Sequence, residues 1–250
     1  TVLKLPGRMS AESMSAITAK LAASGQVELV EPDAIMQALA TPAPVTPNDP
    51  SFSQQWDLVE PPTAPATGSY GANLPLAWGI TTGSASVVVA VIDTGITNHA
   101  EFAGRTVQGY DFINDSQVAN DGNGRDNNPS DPGDWITSAE SASGYFVGCP
   151  VGNSSWHGSH VAGTIAANSN TPTPLGVAGI NWNAKILAAR VLGKCGGYTS
   201  DIADAIRWSA GGTVTGVPTN ANPAKVLSMS LGGSGACDAT TQSAINDAVG

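Results

Sequence analysis

Val87-Val88-Val89-Ala90-Val91-Ile92, followed at once by Asp93-Thr94-Gly95, is the stretch on which the fold turns. A strand with one face in water alternates apolar with polar residues. This run has no polar member until Asp93, so it predicts a parallel strand covered on both faces. Outward from it, residues 161–167 are small and helical and residues 184–191 form a second apolar strand. Residues 200–209 are an amphipathic helix, 225–230 a third strand, and 240–249 a helix that runs to the chain end. Strand and helix in alternation predict an α/β fold, a doubly wound, mostly parallel sheet flanked by helices. Function in such sheets gathers at the carboxyl ends of the strands, where Asp93 stands. Two readings of that residue stay open here: a carboxylate in the ligand crevice, or a turn aspartate capping the next segment.

Toward the amino terminus the pattern changes. Met14, Ile17 and Leu21 recur at helical spacing over residues 10–23, with Ser10 as N-cap and Gly25 as the stop. Residues 26–30 alternate polar and apolar, which predicts an edge strand. Four prolines within residues 41–50 then exclude helix or sheet interior and predict an extended linker. Residues 61–75 are Pro- and Gly-rich surface chain, and residues 76–80 a short helix end leading into the core. The expected segments are therefore 1–41, 42–75 and 76–250.

The 250 residues include 20 acids and 10 bases, a net charge of −10. Between residues 111 and 140 seven acids face Arg125 alone, so six of the ten excess charges lie there. Nothing resembles the clustered Lys/Arg footprint of a nucleic-acid or anionic-membrane binder. No apolar run is long enough to span a bilayer. No basic and apolar leader opens the chain, so a secretory signal is expected to have been removed or never included. Residues 120–134 are dense in oxygen donors and turn formers, and a hard cation such as calcium needs six to eight oxygens on a loop that glycine lets curl. The spacing is not that of an EF-hand, and a solvated acidic loop is the alternative reading. The cysteines Cys149, Cys195 and Cys237 are odd in number, which implies a free thiol or a partner outside these residues.

His157 stands at the mouth of a helix whose next turns are Gly, Ala and Thr, small enough to lie tight on the sheet and let the imidazole face the crevice of Asp93. A zinc reading through His157 and His160 at i,i+3 ranks lower, since no Glu lies between them and no third ligand has zinc-like spacing. His160 is expected to be a hydrogen-bonded interior residue and His99 a loop-packing one. Asp before His, one at a strand end and the other at a helix start, is one of the orders in which a Ser–His–Asp triad is built. Val91-Ile92-Asp93-Thr94-Gly95-Ile96, His157-Gly158-Ser159-His160-Val161-Ala162-Gly163-Thr164 and Ser228-Met229-Ser230-Leu231-Gly232-Gly233 together resemble the signatures of subtilisin-like serine proteases of the secreted bacterial type. Ser159 stands where that family usually has Thr, and keeps the hydroxyl.

The resemblance implies a serine endopeptidase acting on protein or peptide substrates, with Asp93 and His157 as catalytic residues. It also implies that Ser230, Leu231 and Gly232 on one side, and Gly196 and Gly197 on the other, flank an extended substrate as added β-strands. The family's Gly-Thr-Ser nucleophile segment and its oxyanion-hole asparagine do not occur in these residues. The resemblance covers residues 76–250, about the first two-thirds of a catalytic domain, and this chain by itself is expected to be inactive. Residues 21–33 resemble the end of the family's inhibitory propeptide, so residues 1–41 are read as a small α+β propeptide remnant, an intramolecular inhibitor. Pro47-Asn48-Asp49-Pro50 with Gln55-Trp56 resembles a mature amino terminus, which puts the cleavage between about Met36 and Pro47. A secreted monomer with no nucleic-acid partner and no membrane span is expected. The alternatives are a non-catalytic protease-like protein or a propeptide-type inhibitor.

The family commonly binds calcium in surface loops. Asp121, Asp126, Asp131 and Asp134 are the candidate ligands in the acidic loop, with Asp115 a more remote one, and Glu101 and Asn170 resemble ligands of the family's strong calcium site. A bridge between Cys149 and Cys195 at the edge of the substrate cleft, leaving Cys237 for a partner elsewhere, is a hypothesis at this point.

Overall fold

The computed structural model describes residues 3–5, 7, 9–32, 42–59 and 71–250, and the chain divides into two units, Thr1–Thr41 and Pro42–Gly250. In the first unit, helix α1 (Ala11–Ala23) begins where the Ser10 side chain accepts from the Ser13 N–H. Met14, Ile17 and Leu21 are its half-buried face. The strand expected over residues 26–30 does not form; those residues run as turn and irregular chain. Among the described residues this segment has no neighbouring strand, and an alternating segment without a ladder leaves its backbone groups to water. Of the expected propeptide end and cleavage window, residues 33–41 lie outside the described residues.

The second unit runs α2 (Leu74–Trp78), β1 (Val88–Asp93), β2 (Thr106–Asp111), α3 (Ser116–Ala119), α4 (Ser138–Ala142), α5 (His157–Ala166), β3 (Lys185–Arg190), α6 (Thr199–Ser209), β4 (Val226–Ser228) and α7 (Ala239–Val249). The four strands form one parallel sheet in the order β2-β3-β1-β4. The composition of β1 follows from its central place. Ala90 and Ile92 point into a cluster with Leu187 and with Ile206 and Trp208 of α6, while Val89 and Val91 point the other way, onto Ala162 and Ala166 of α5. Each large apolar side chain buried this way stabilises the fold by about 1.5–3 kcal/mol.

Helix α5 lies close to the sheet because its buried positions, Gly158, Ala162 and Ala166, recur every fourth residue and are small. A Cβ at Gly158 would stand 2.3 Å from the Gly95 carbonyl oxygen, so no larger residue fits there. The α/β class and the parallel sheet read from the sequence are those observed. One strand was not expected: β2 carries Gln108 and Gly109 where an apolar run would signal a strand. The sheet demands that glycine, since a Cβ there would meet the Ala188 carbonyl oxygen at 2.0 Å, and the ladder shifts register between Val107 and Tyr110.

Residues 42–59 are less loose than their prolines suggest. Phe52 and Leu58 are buried with Trp78, Ala178 and Trp182 in a separate cluster. The Pro- and Gly-rich stretch expected over residues 61–75 lies outside the described residues up to residue 70. No helix among the described residues is long and apolar enough to cross a membrane.

Candidate active site

Asp93 ends β1 with its side chain fully buried. A carboxylate cannot stay there unpartnered, and the local chain supplies donors. The Thr94 N–H donates to Oδ1 over 2.7 Å, and Nδ1 of His157 lies 2.8 Å from Oδ1 and 2.9 Å from Oδ2. His157 is the first residue of α5 and its side chain is 44% exposed, so one end of the ring is held in the protein while the rest reaches solvent. Trp156 makes the turn into the helix in the left-handed conformation, φ 52°, which an aromatic residue seldom adopts. The Ser159 hydroxyl accepts from the Thr97 N–H at 2.8 Å and tethers the loop after β1 to α5.

A cleft of about 510 Å³ opens beside His157, with Leu192, Gly193 and Gly196 on one wall, Ser230 on another, and Val151-Gly152-Asn153 on a third. Gly196 has φ 109° and closes a tight turn with Gly193 through two backbone hydrogen bonds of 2.9 and 3.1 Å. Of the residues expected to flank a substrate, Ser230 and Gly196 line this cleft. Gly197 lines a smaller depression next to it with Tyr198. Leu231 packs toward the sheet's core instead, and Gly232 has open space around its Cα.

The third wall was not legible in the sequence. Cys149 is bonded to Cys195, as hypothesised, with 5.7 Å between the Cα atoms, and Cys237 is free and exposed. Lys194, next to that bridge, is buried. Its ammonium pairs with Glu140 and lies 4.9 Å from the Trp135 ring and 5.1 Å from that of Phe146. Covalent bond, ion pair and cation–π contacts together hold residues 135–153 against the end of the chain segment after β3. Adjacent apolar, acidic and cysteine residues in one loop were the available signal, but their partners are some fifty residues away.

The zinc reading fails on geometry. Nδ1 of His157 is occupied by Asp93, and among the described residues no three His, Cys, Asp or Glu side chains converge as a metal site would require. His160 is exposed rather than interior, because it lies two residues on from Gly158 and hence across the helix from the buried face. His99 packs in its loop, where Nδ1 accepts from the Glu101 N–H.

The acidic loop also departs from expectation. Asp121 pairs with Arg190 at 3.0 Å, Asp126 accepts from Asn123 and from the Asn128 N–H, Asp131 from Thr94 and the Gly133 N–H, and Asp134 from Ser155. Asp115 caps α3 and accepts from Tyr145. These carboxylates do not converge, and each is already occupied by protein donors, so they do not fit a calcium cage. Arg190 offsets part of the repulsion instead by bridging Asp111 to Asp121, while Arg125 joins Phe112 O to Asp201 and Asp204 of α6.

Around Glu101 the situation is reversed. Asp49 and Glu101 are both about 95% buried or more, and Asp49 Oδ1 and Glu101 Oε2 have no hydrogen-bond partner. Asp49 Oδ2 accepts from the Asn170 N–H at 2.9 Å, and Glu101 Oε1 from the Val177 N–H at 3.1 Å. Burial, with the Asp49 charge adding to it, pushes the Glu101 carboxyl above its usual range. Two buried carboxylates with unsatisfied oxygens beside the Asn170 amide fit a hard cation. Asp49 is the member of this group that the sequence reading did not include; its only signal was an acid in the segment resembling a mature amino terminus.

Residues 84–249 match the subtilase family, peptidase S8. The chain is 52% identical over 230 residues to an extracellular protease of Xanthomonas campestris, which covers 92% of this chain and 36% of the relative. It is 45% identical over 226 residues to an extracellular basic protease of Dichelobacter nodosus, covering 90% of this chain and 35% of that protein. Among solved structures, a protease from Pseudoalteromonas arctica superposes with a TM-score of 0.73 at 52% identity, over 82% of this chain and 56% of the other. The chain thus spans about a third of the length of these two curated relatives. A family match over residues 84–249, on a parallel sheet whose central strand ends in a buried Asp bonded to a His, leads to one conclusion: the chain belongs to the subtilase family.

Proposed function

We propose that this chain is part of a secreted serine endopeptidase in which Asp93 and His157 are two members of a Ser–His–Asp triad. The observation that carries the reading is the approach of both Asp93 oxygens to Nδ1 of His157, at 2.8 and 2.9 Å. With Nδ1 donating to the carboxylate, Nε2 is the ring nitrogen left to take a proton from a serine hydroxyl. His157 then acts as general base toward the nucleophile and as general acid toward the leaving amine. Asp93 holds the tautomer and stabilises the imidazolium without taking up the proton itself.

The serine and the oxyanion-hole donor are supplied by residues other than these 250. Ser230 and Gly196, both lining the cleft, receive the substrate main chain as an added strand, so recognition rests on backbone hydrogen bonds. Residues 1–41 act as the end of an inhibitory propeptide. Calcium is held by Asp49, Glu101 and Asn170, where its charge neutralises two buried carboxylates and joins the segment before the sheet to the loop after α5. Secretion is in keeping with the names of the extracellular relatives.

The test is active-site labelling with a fluorophosphonate. The whole protease labels, its His157→Ala variant does not, and this chain alone does not. Undiminished labelling of the His157→Ala variant would refute the assignment.

A further inference from the structure

The start of α5 lacks an ordinary cap. Trp156 offers no side-chain acceptor, yet the first N–H groups of a helix must find one. Two hydroxyls provide it. The His157 N–H donates to Ser155 Oγ at 3.3 Å, and the Gly158 N–H to Thr94 Oγ1 at 2.9 Å.

A hydroxyl has a single proton, and each of these spends it on an aspartate of the acidic loop. Thr94 Oγ1 donates to Asp131 Oδ2 at 2.7 Å, and Ser155 Oγ donates to Asp134 Oδ2 at 2.8 Å. With the proton committed, the lone pairs are the only face the hydroxyl can show the helix. The carboxylates are fixed in turn. Asp131 Oδ1 accepts from the Gly133 N–H at 2.8 Å, and Asp134 Oδ1 from the Ser155 N–H at 2.6 Å. Their negative charge at the helix start is also favoured by the helix dipole.

Thr94 has a further role, because its own N–H donates to Asp93 Oδ1. One residue, 3% exposed, therefore joins Asp131, the helix start and the carboxylate that holds His157.

We propose that Asp131 and Asp134 are positioning residues that, through the hydroxyls of Thr94 and Ser155, seat the start of α5 so that His157 meets Asp93. The inference rests on the triad reading above. It assigns the two loop aspartates to catalytic geometry rather than to metal binding.

The test uses the whole protease and a double-mutant cycle. Asp131→Ala and Thr94→Val each lower kcat by about tenfold to a hundredfold, the size expected of a catalytic group displaced by an ångström or less, with KM within about twofold. The double variant loses no more than the worse single one, because both break the same link. Asp131→Asn, which keeps an acceptor for the Thr94 hydroxyl, recovers most of the loss, and the ring-proton resonance of His157 shifts in Asp131→Ala. Losses that multiply in the double variant, or that fall on KM alone, overturn the proposal.

If Asp131→Ala does not fold, the pair Asp134→Ala and Ser155→Ala, on the solvent side of the helix, must give the same non-additive pattern in kcat, and additivity there overturns it. A protease that is inactive as His157→Ala but unchanged as Asp131→Ala refutes this inference alone. One still active as His157→Ala refutes the triad reading itself.

Discussion

Two aspartates occupy equivalent places in the sheet. Asp93 ends β1 and Asp111 ends β2, both are fully buried, and each is paired in register with Arg190 of β3, which lies between them. They differ in partner. Asp111 takes the guanidinium of Arg190, a group that never releases its proton, and Asp93 takes an imidazole, a group able to take up and release one. Burial at a strand end is thus not what makes a carboxylate functional. The partner it is given decides whether the site holds the fold or moves a proton.

The largest effect expected of breaking this comparison is at Asp93. Asp93→Asn keeps shape and burial but loses hold of the tautomer, so kcat of the whole protease falls by about 10⁴-fold with its thermal stability little changed. The mirror experiment is Asp111→Ala, which leaves Arg190 buried without its nearest charge. It lowers the unfolding free energy by about 3–5 kcal/mol in denaturant titration, while kcat of the folded fraction stays within about tenfold. A collapse of kcat at Asp111 with stability intact would reverse the roles assigned here.

The pH acts on the fold through Asp111. Burial, only partly offset by Arg190, raises the Asp111 carboxyl from 3.8 to about 7. Between those values the folded state binds a proton that the unfolded chain does not. The proton-linked part of the Asp111 contribution is therefore full below about pH 4 and is lost as pH rises toward 7, while the pairing with Arg190 remains. Unfolding free energies measured across that window should fall less steeply in Asp111→Ala than in the unaltered protein.

How much of this was legible in the sequence depends on how local the cause was. The central strand, with Asp93 at its end and His157 at a helix start, could be read because an unbroken apolar run and a small-residue helix are local signals. Strand β2 could not, because Gly109 is demanded by the Ala188 carbonyl of a neighbouring strand, and a lone glycine advertises no strand. The density of carboxylates in residues 120–134 points to calcium there, whereas Glu101 and Asn170 are candidates only through the family resemblance. In the structure that loop satisfies its own carboxylates with Arg190, Asn123, Thr94 and Ser155, and unsatisfied oxygens occur instead at Asp49 and Glu101, 52 residues apart in the chain. Density of acids is a sequence property, whereas satisfaction of their oxygens is a property of the fold.

The smallest effect expected concerns calcium, and it sharpens the same lesson. Adding calcium at a hundred times its Kd raises the unfolding free energy by about 3 kcal/mol. Glu101→Gln abolishes that gain and Asp126→Ala leaves it, as read by thermal unfolding with and without chelator. A gain lost with Asp126 and kept with Glu101 would put the metal back in the acidic loop.

The pairing of His157 with Asp93 is most directly tested by the tautomer of the ring. Nitrogen NMR of ¹⁵N-histidine-labelled protein at a pH where His157 is neutral reports which ring nitrogen carries the proton. The geometry predicts the proton on Nδ1, facing Asp93, and its loss from Nδ1 in Asp93→Ala. A neutral His157 protonated on Nε2 in the unaltered protein would contradict the role given to both residues.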